Sequence, residues 1–106
     1  MYFTYMIRCT DHSLYTGITN HLERRMKEHQ EKGLKCAKYM KSHTFQKLEC
    51  VFESSNRAQA SKLENLIKNL SKKEKEELIL EPKKLDFYFA NKIDSKDYLY
   101  RHYTII

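Results

Sequence analysis

A chain of 106 residues, 41% hydrophobic and 32% charged, with two glycines and one proline, is sized for one domain around one modest core. Its longest apolar runs are too short to span a membrane, and the opening MYFTYMIRC lacks the basic start and long apolar stretch of a secretion signal. Eight basic residues against two acids between Arg24 and Lys47 account for the whole net charge of +6, a concentrated positive field that suits a polyanion or serves only as a solvated basic face.

Residues 2–8, YFTYMIR, are aromatic and β-prone and predict a strand; CTDHS is a turn, and LYTGIT a second strand of the same hairpin. Asn20, with Glu23 three residues on, predicts a helix N-terminus, and that helix runs to about Gly33. A basic loop follows, then QKLECVFES as a third strand. Residues 57–70 place Ala60, Leu63, Ile67 and Leu70 at helical spacing, and Ser71 with Glu74 opens a short helix ending near Leu80, before Pro82. The order β-β-α-β-α-α predicts an α+β fold, a small three-stranded antiparallel sheet flanked by helices, over residues 1–80. Residues 81–106 form an aromatic-rich extension, in which LDFYFA and DYLYRHYTII alternate. Packing on the same core is the expected role, with a sheet-extending hairpin, a dimer contact and a base-stacking platform as alternatives. Cys9, Cys36 and Cys50 are an odd number without CxxC spacing, as in a cytoplasmic protein with reduced thiols. Cys9 and His12 lack the paired spacing of a zinc site.

A hairpin turn centred on Asp11 sets Tyr5 opposite Gly17 and Ile7 opposite Tyr15, so both tyrosines share one face as diagonal neighbours. Gly17 beside them either leaves space for a ligand backbone or marks a bulge. In the first helix Leu22, Arg25, Met26 and His29 follow the stripe that should face the sheet. Arg25 and His29 thus point inward, where a guanidinium must be paired or face an anion-binding cleft. Glu64, beside the Ala60–Leu63–Ile67 stripe, repeats the anomaly. The three fit either a common solvent-accessible site on the sheet face or a structural Arg25–Glu64 ion pair.

Phe3-Thr4-Tyr5, then Tyr15-Thr16-Gly17, then Arg25, His29 and Glu64, resemble the GIY-YIG nuclease superfamily, most of all its small single-domain bacterial members. The likeness spans residues 2–80 and includes Lys38-Tyr39. Phe3-Thr4 replaces Gly-Ile and Thr16 replaces the middle isoleucine, changes that remove no reacting group. The resemblance implies a metal-dependent endonuclease that hydrolyses phosphodiester bonds of DNA, with RNA as a second possible substrate. It assigns Tyr5 and Tyr15 to the motif tyrosines, Arg25 to the phosphate, His29 to the helix histidine and Glu64 to the metal.

The chemistry suits these residue types. One hard carboxylate, Glu64, matches Mg²⁺ or Mn²⁺ that keeps most of its waters, and Arg25 can grip two phosphate oxygens. Tyr5 is the expected general base, Tyr15 orients water or phosphate, and His29 relays a proton or holds the phosphate. Arg24, Lys35, Lys38 and Lys41 are the expected nucleic-acid contacts. The late asparagine of some family members has only Asn91 as a counterpart in the extension. The rival reading is a non-cleaving DNA- or RNA-binding module of the same fold, using the basic loop and the aromatic tail.

Overall fold

The structure, a computed structural model, describes residues 1–31 and 38–101, the side chains of Met40 and Lys41 excepted. β1 (Tyr2–Cys9) and β2 (Leu14–Thr19) form the first hairpin, and β3 (Phe45–Ser54) pairs antiparallel with the other side of β1. Asp11 closes the hairpin turn: its Oδ1 accepts from the backbone N–H and the hydroxyl of Ser13 at 3.1 and 2.6 Å. That turn fixes the register, with Tyr5 opposite Gly17 and Ile7 opposite Tyr15.

Among the described residues the sheet has four strands, in the order β2-β1-β3-β4, rather than three. The fourth, β4 (Leu99–Arg101), comes from the C-terminal extension and pairs antiparallel with β3, placing Tyr100 opposite Phe52. A three-residue strand is too short for alternation to single it out within a longer aromatic run.

The helices also differ in detail from the expectation. α1 (Leu22–Glu31) starts two residues after Asn20. His21 supplies its cap: Nδ1 accepts from Arg24 N–H at 3.2 Å, and the carbonyl accepts from Arg25 N–H at 3.1 Å. Gly33 lies outside the described residues. The stretch expected as a basic loop contains a short helix, α2 (Lys38–Ser42). α3 (Arg57–Lys68) is capped by Asn56, whose side chain accepts from Gln59 N–H, and ends at Lys68. α4 (Lys72–Leu80) begins with the reciprocal Ser71–Glu74 capping box. LDFYFA does not continue as strand but falls largely in α5 (Lys84–Phe89), because Leu85 and Phe89, four apart, turn to the same buried side.

Alternation along the strands divides the core between the two faces of the sheet. Tyr5, Ile7, Cys9 and Val51 meet Leu22 and Met26 of α1, with Tyr39 of α2 packed alongside. Met6, Cys50 and Phe52 face the other way, against Leu63 and Ile67 of α3, Leu78 of α4, Leu85 and Phe89 of α5, and Tyr98. Thr4, buried on this second face, donates its hydroxyl to the Ala60 carbonyl at 3.0 Å and pins α3 to β1. Arg8 ties β1 to β3 and α4: its guanidinium donates to Glu49 and Glu76, and to the His12 carbonyl. Cys9 and Cys50 are buried and form no disulfide. Among the described residues no helix is long and apolar enough to cross a membrane.

Candidate active site

Tyr5 and Tyr15 point to the same side of the hairpin, with ring centroids 6.2 Å apart. His29, on the last turn of α1, completes a triangle with them, its ring 5.9 Å from Tyr5 and 5.6 Å from Tyr15. The stripe that carries Leu22 and Met26 into the core carries His29 with it, to full burial. The expected open cleft is not found at this point: Tyr5 and His29 are 1% and 0% exposed, beneath α1 and the aromatic rings around them.

Hydrogen-bond chemistry orders the buried groups. Tyr5 Oη lies 2.8 Å from His29 Nε2, and the Arg25 guanidinium is near enough for its charge to act on the phenol. At this contact the phenol can donate to an unprotonated Nε2 or accept from a protonated one, according to the imidazole tautomer. His29 Nδ1 is buried with no partner among the described residues.

Burial is the main reason that Tyr5 is far harder to ionise than an ordinary phenol; Tyr15 and, more weakly, Glu64 add to this, while Arg25 opposes them. Desolvation, helped by the Arg25 charge, lowers His29 to about 4, so the imidazole is neutral at pH 7.

Gly17 faces Tyr5 across the hairpin with no room for a side chain. A Cβ there would fall 2.6 Å from Tyr5 Oη, 2.8 Å from its Cζ and 3.0 Å from Tyr15 Cε2. The glycine thus admits the tyrosine hydroxyl, at a φ that any residue can adopt.

Arg25 pairs with Glu28 at 3.1 Å and Glu64 with Lys68 at 3.3 Å. The ion pair considered between Arg25 and Glu64 is therefore not what holds either side chain. Glu64 stands on α3, which packs against β1 and β2 from the opposite face. Its side chain is 16% exposed and near enough to act on Tyr5. No group of three or more His, Cys, Asp or Glu with metal-binding geometry occurs among the described residues. The donor set is one carboxylate, which fits a hard divalent ion that retains waters and takes further oxygens from a substrate phosphate.

Two contributors were not legible as site residues. Tyr39 stacks on Tyr15 with centroids 5.5 Å apart, and His43 stacks on Tyr39 at 4.0 Å, nearly parallel at 6°. His43 Nδ1 in turn meets Asp11 Oδ2 at 2.9 Å, tying α2 and the hairpin tip into one aromatic wall. Asp11 is held down at about 2, first by its Ser13 hydrogen bonds and less by His43. Of the expected nucleic-acid contacts, Arg24 and Lys38 are exposed. Lys35 and the side chain of Lys41 lie outside the described residues. Asn91 is exposed in the turn after α5.

Comparison with known proteins agrees with the motif. Residues 1–77 match the GIY-YIG catalytic domain. A UPF0213 protein of Fusobacterium nucleatum is 44% identical over 81 residues, covering 76% of this chain and 79% of that one. The UPF0213 protein YhbQ of Escherichia coli K12 is 39% identical over 83 residues, covering 76% and 78%. The solution NMR structure of the UPF0213 protein BH0048 from Bacillus halodurans, 30% identical, covers 76% of this chain and 84% of its own, with a TM-score of 0.47. By its matched domain and by these relatives, the chain belongs to the GIY-YIG family.

Proposed function

We propose that this protein is a metal-dependent endonuclease that hydrolyses phosphodiester bonds of DNA. The observation that carries the reading is the Tyr5 hydroxyl, buried 2.8 Å from His29 Nε2 and under the influence of the Arg25 charge. Pure binding has no need of a buried phenol set against an imidazole that is neutral at pH 7, and a proton relay through the pair uses the tautomer that leaves Nε2 unprotonated. Glu64 would hold Mg²⁺ or Mn²⁺, which when bound polarises the phosphate and stabilises charge on the leaving oxygen.

The chain's own groups supply the rest. Arg25 binds the scissile phosphate and Tyr15 orients the attacking water. An ionised Tyr5 is disfavoured, so proton movement is best written as a relay. The water oxygen bonds phosphorus, its proton passes to Tyr5 Oη, and the Tyr5 proton passes to His29 Nε2. The bond from phosphorus to the leaving ester oxygen breaks, and that oxygen takes a proton from solvent. An arriving phosphodiester offsets the Arg25 charge, the second cause of the low His29 pKa after desolvation. The substrate thereby improves the final proton acceptor. The exposed Arg24 and Lys38, with Lys35 and Lys41, would add phosphate contacts, and the buried cysteines outside any disulfide suit a cytoplasmic protein.

Glu64→Gln tests the reading. Labelled single-stranded, duplex and branched DNA are incubated with each protein, with and without Mg²⁺ or Mn²⁺. Wild type should cut, and the variant should lose cleavage by orders of magnitude while keeping its DNA affinity and melting temperature. Unchanged cleavage rejects the metal assignment. DNA binding by the wild type without cleavage under every metal condition favours the non-cleaving module.

A further inference from the structure

A polar cleft of about 270 Å³ opens where the start of α1 and the first turn of α3 meet beside the end of β2. Arg24, Arg25 and Arg57 line it, together with Glu28, Tyr2 and Asn20. Three arginines and one carboxylate therefore line the same recess. That carboxylate, Glu28, is engaged by Arg25 at 3.1 Å. Among the described residues, no ion pair neutralises Arg24 or Arg57, and both side chains are exposed. Arg57 is also the first residue of the 12-residue α3, so it stands at the positive end of that helix dipole. Like charges gathered in one recess repel, and the arrangement is favourable when an anion enters it.

We propose that this cleft is a second phosphate site, in which Arg24 and Arg57 together hold the phosphodiester next along the strand from the one at Arg25. The assignment rests on the nuclease reading for the identity of the anion as a nucleic-acid phosphate. Arg25 links the two sites physically, since it lines the cleft and its charge acts on Tyr5. A strand anchored at two adjacent phosphates is fixed in direction as well as position, which a single phosphate contact cannot achieve. The forked donors of arginine suit this role better than lysine would.

The test compares wild type, Arg24→Ala/Arg57→Ala and the control Lys73→Ala/Lys92→Ala, which removes the same charge from exposed positions elsewhere. Binding to a labelled duplex is followed by fluorescence anisotropy against salt, in EDTA so that nothing is cut. One lost phosphate contact should lower the log–log salt slope by about 0.9 in the arginine variant, with the control unchanged. Single methylphosphonates scanned through the duplex should locate one position where charge removal weakens wild type but not the arginine variant. In parallel, inorganic pyrophosphate should shift the Arg24 and Arg57 guanidinium signals in NMR spectra of the wild type.

A wild-type slope in the arginine variant, or an equal loss in the control, overturns the proposal. Intact DNA cleavage with an unchanged slope removes the cleft assignment alone. If the slope and pyrophosphate results hold but no metal condition gives cleavage, the anion site stands and the nuclease reading falls.

Discussion

Gly17 and His29 show how narrowly single residues set the site. Gly17→Ala puts a methyl group where the Tyr5 hydroxyl now lies, so the phenol must shift away from His29 or the hairpin must bend. Overpacking of this kind costs roughly 1–3 kcal/mol. Cleavage should fall far more than stability, as read from single-turnover rates beside urea titrations. His29 gives a pH signature. Its folded pKa of about 4 lies below the ordinary value of 6.5. Between those values the unfolded chain binds a proton that the folded chain does not, so stability should fall as pH drops from 6.5 towards 4. The linkage is at most about 3 kcal/mol, and His29→Gln should remove that part of the slope in urea unfolding at stepped pH. The shared face of Tyr5 and Tyr15 was legible because a short turn at Asp11 leaves the hairpin only one register. Their depth was not, since alternation gives a side chain's direction but not what covers it. Nor was the His21 cap, because capping preference favours Asn20 and the imidazole acts through its particular placement.

Arg8 joins elements that the sequence leaves unconnected. It donates to Glu49 beside a β-bulge of β3 and to Glu76 on α4, and its side chain is only 14% exposed. Arg8→Ala takes the guanidinium from two carboxylates, Glu76 and the 12% exposed Glu49, and leaves Glu49 only Lys47 at 3.6 Å. Since complete burial would cost roughly 3–5 kcal/mol, this partly exposed network should cost about 2 kcal/mol. Arg8 holds Glu76 below its usual carboxylate range, so its contribution is present above that range and is lost as acid protonates the carboxylate. Urea midpoints of the two proteins should therefore converge at low pH, and a constant difference down to pH 3 would reject the ionic account. Helices with a long apolar stripe or a capping box, α3 and α4, were readable. α2 and α5 were not: one is five residues long inside a basic run, and the other spells an aromatic segment that alternation also fits.

The molecule as a whole depends on residues beyond those carrying the motif. Leu85, Phe89 and Tyr98 share a buried cluster with Met6, Phe52 and Leu63, and β4 lies along β3. A chain ending at Leu80 should melt at a lower temperature and associate with rising concentration, as measured by light scattering. A monomer with unchanged melting would show that the extension is dispensable. The three-stranded expectation missed this because β4 has three exposed residues, so its strand character comes from its partner rather than from its own pattern. During synthesis β3 emerges well before the residues that will cover its outer edge. Until they arrive, that edge is a bare row of backbone donors and acceptors, the kind of template on which strands of separate molecules join into aggregates. By pairing with Val51–Glu53, β4 takes up the backbone groups of that part of the edge and shields it from strands of neighbouring molecules.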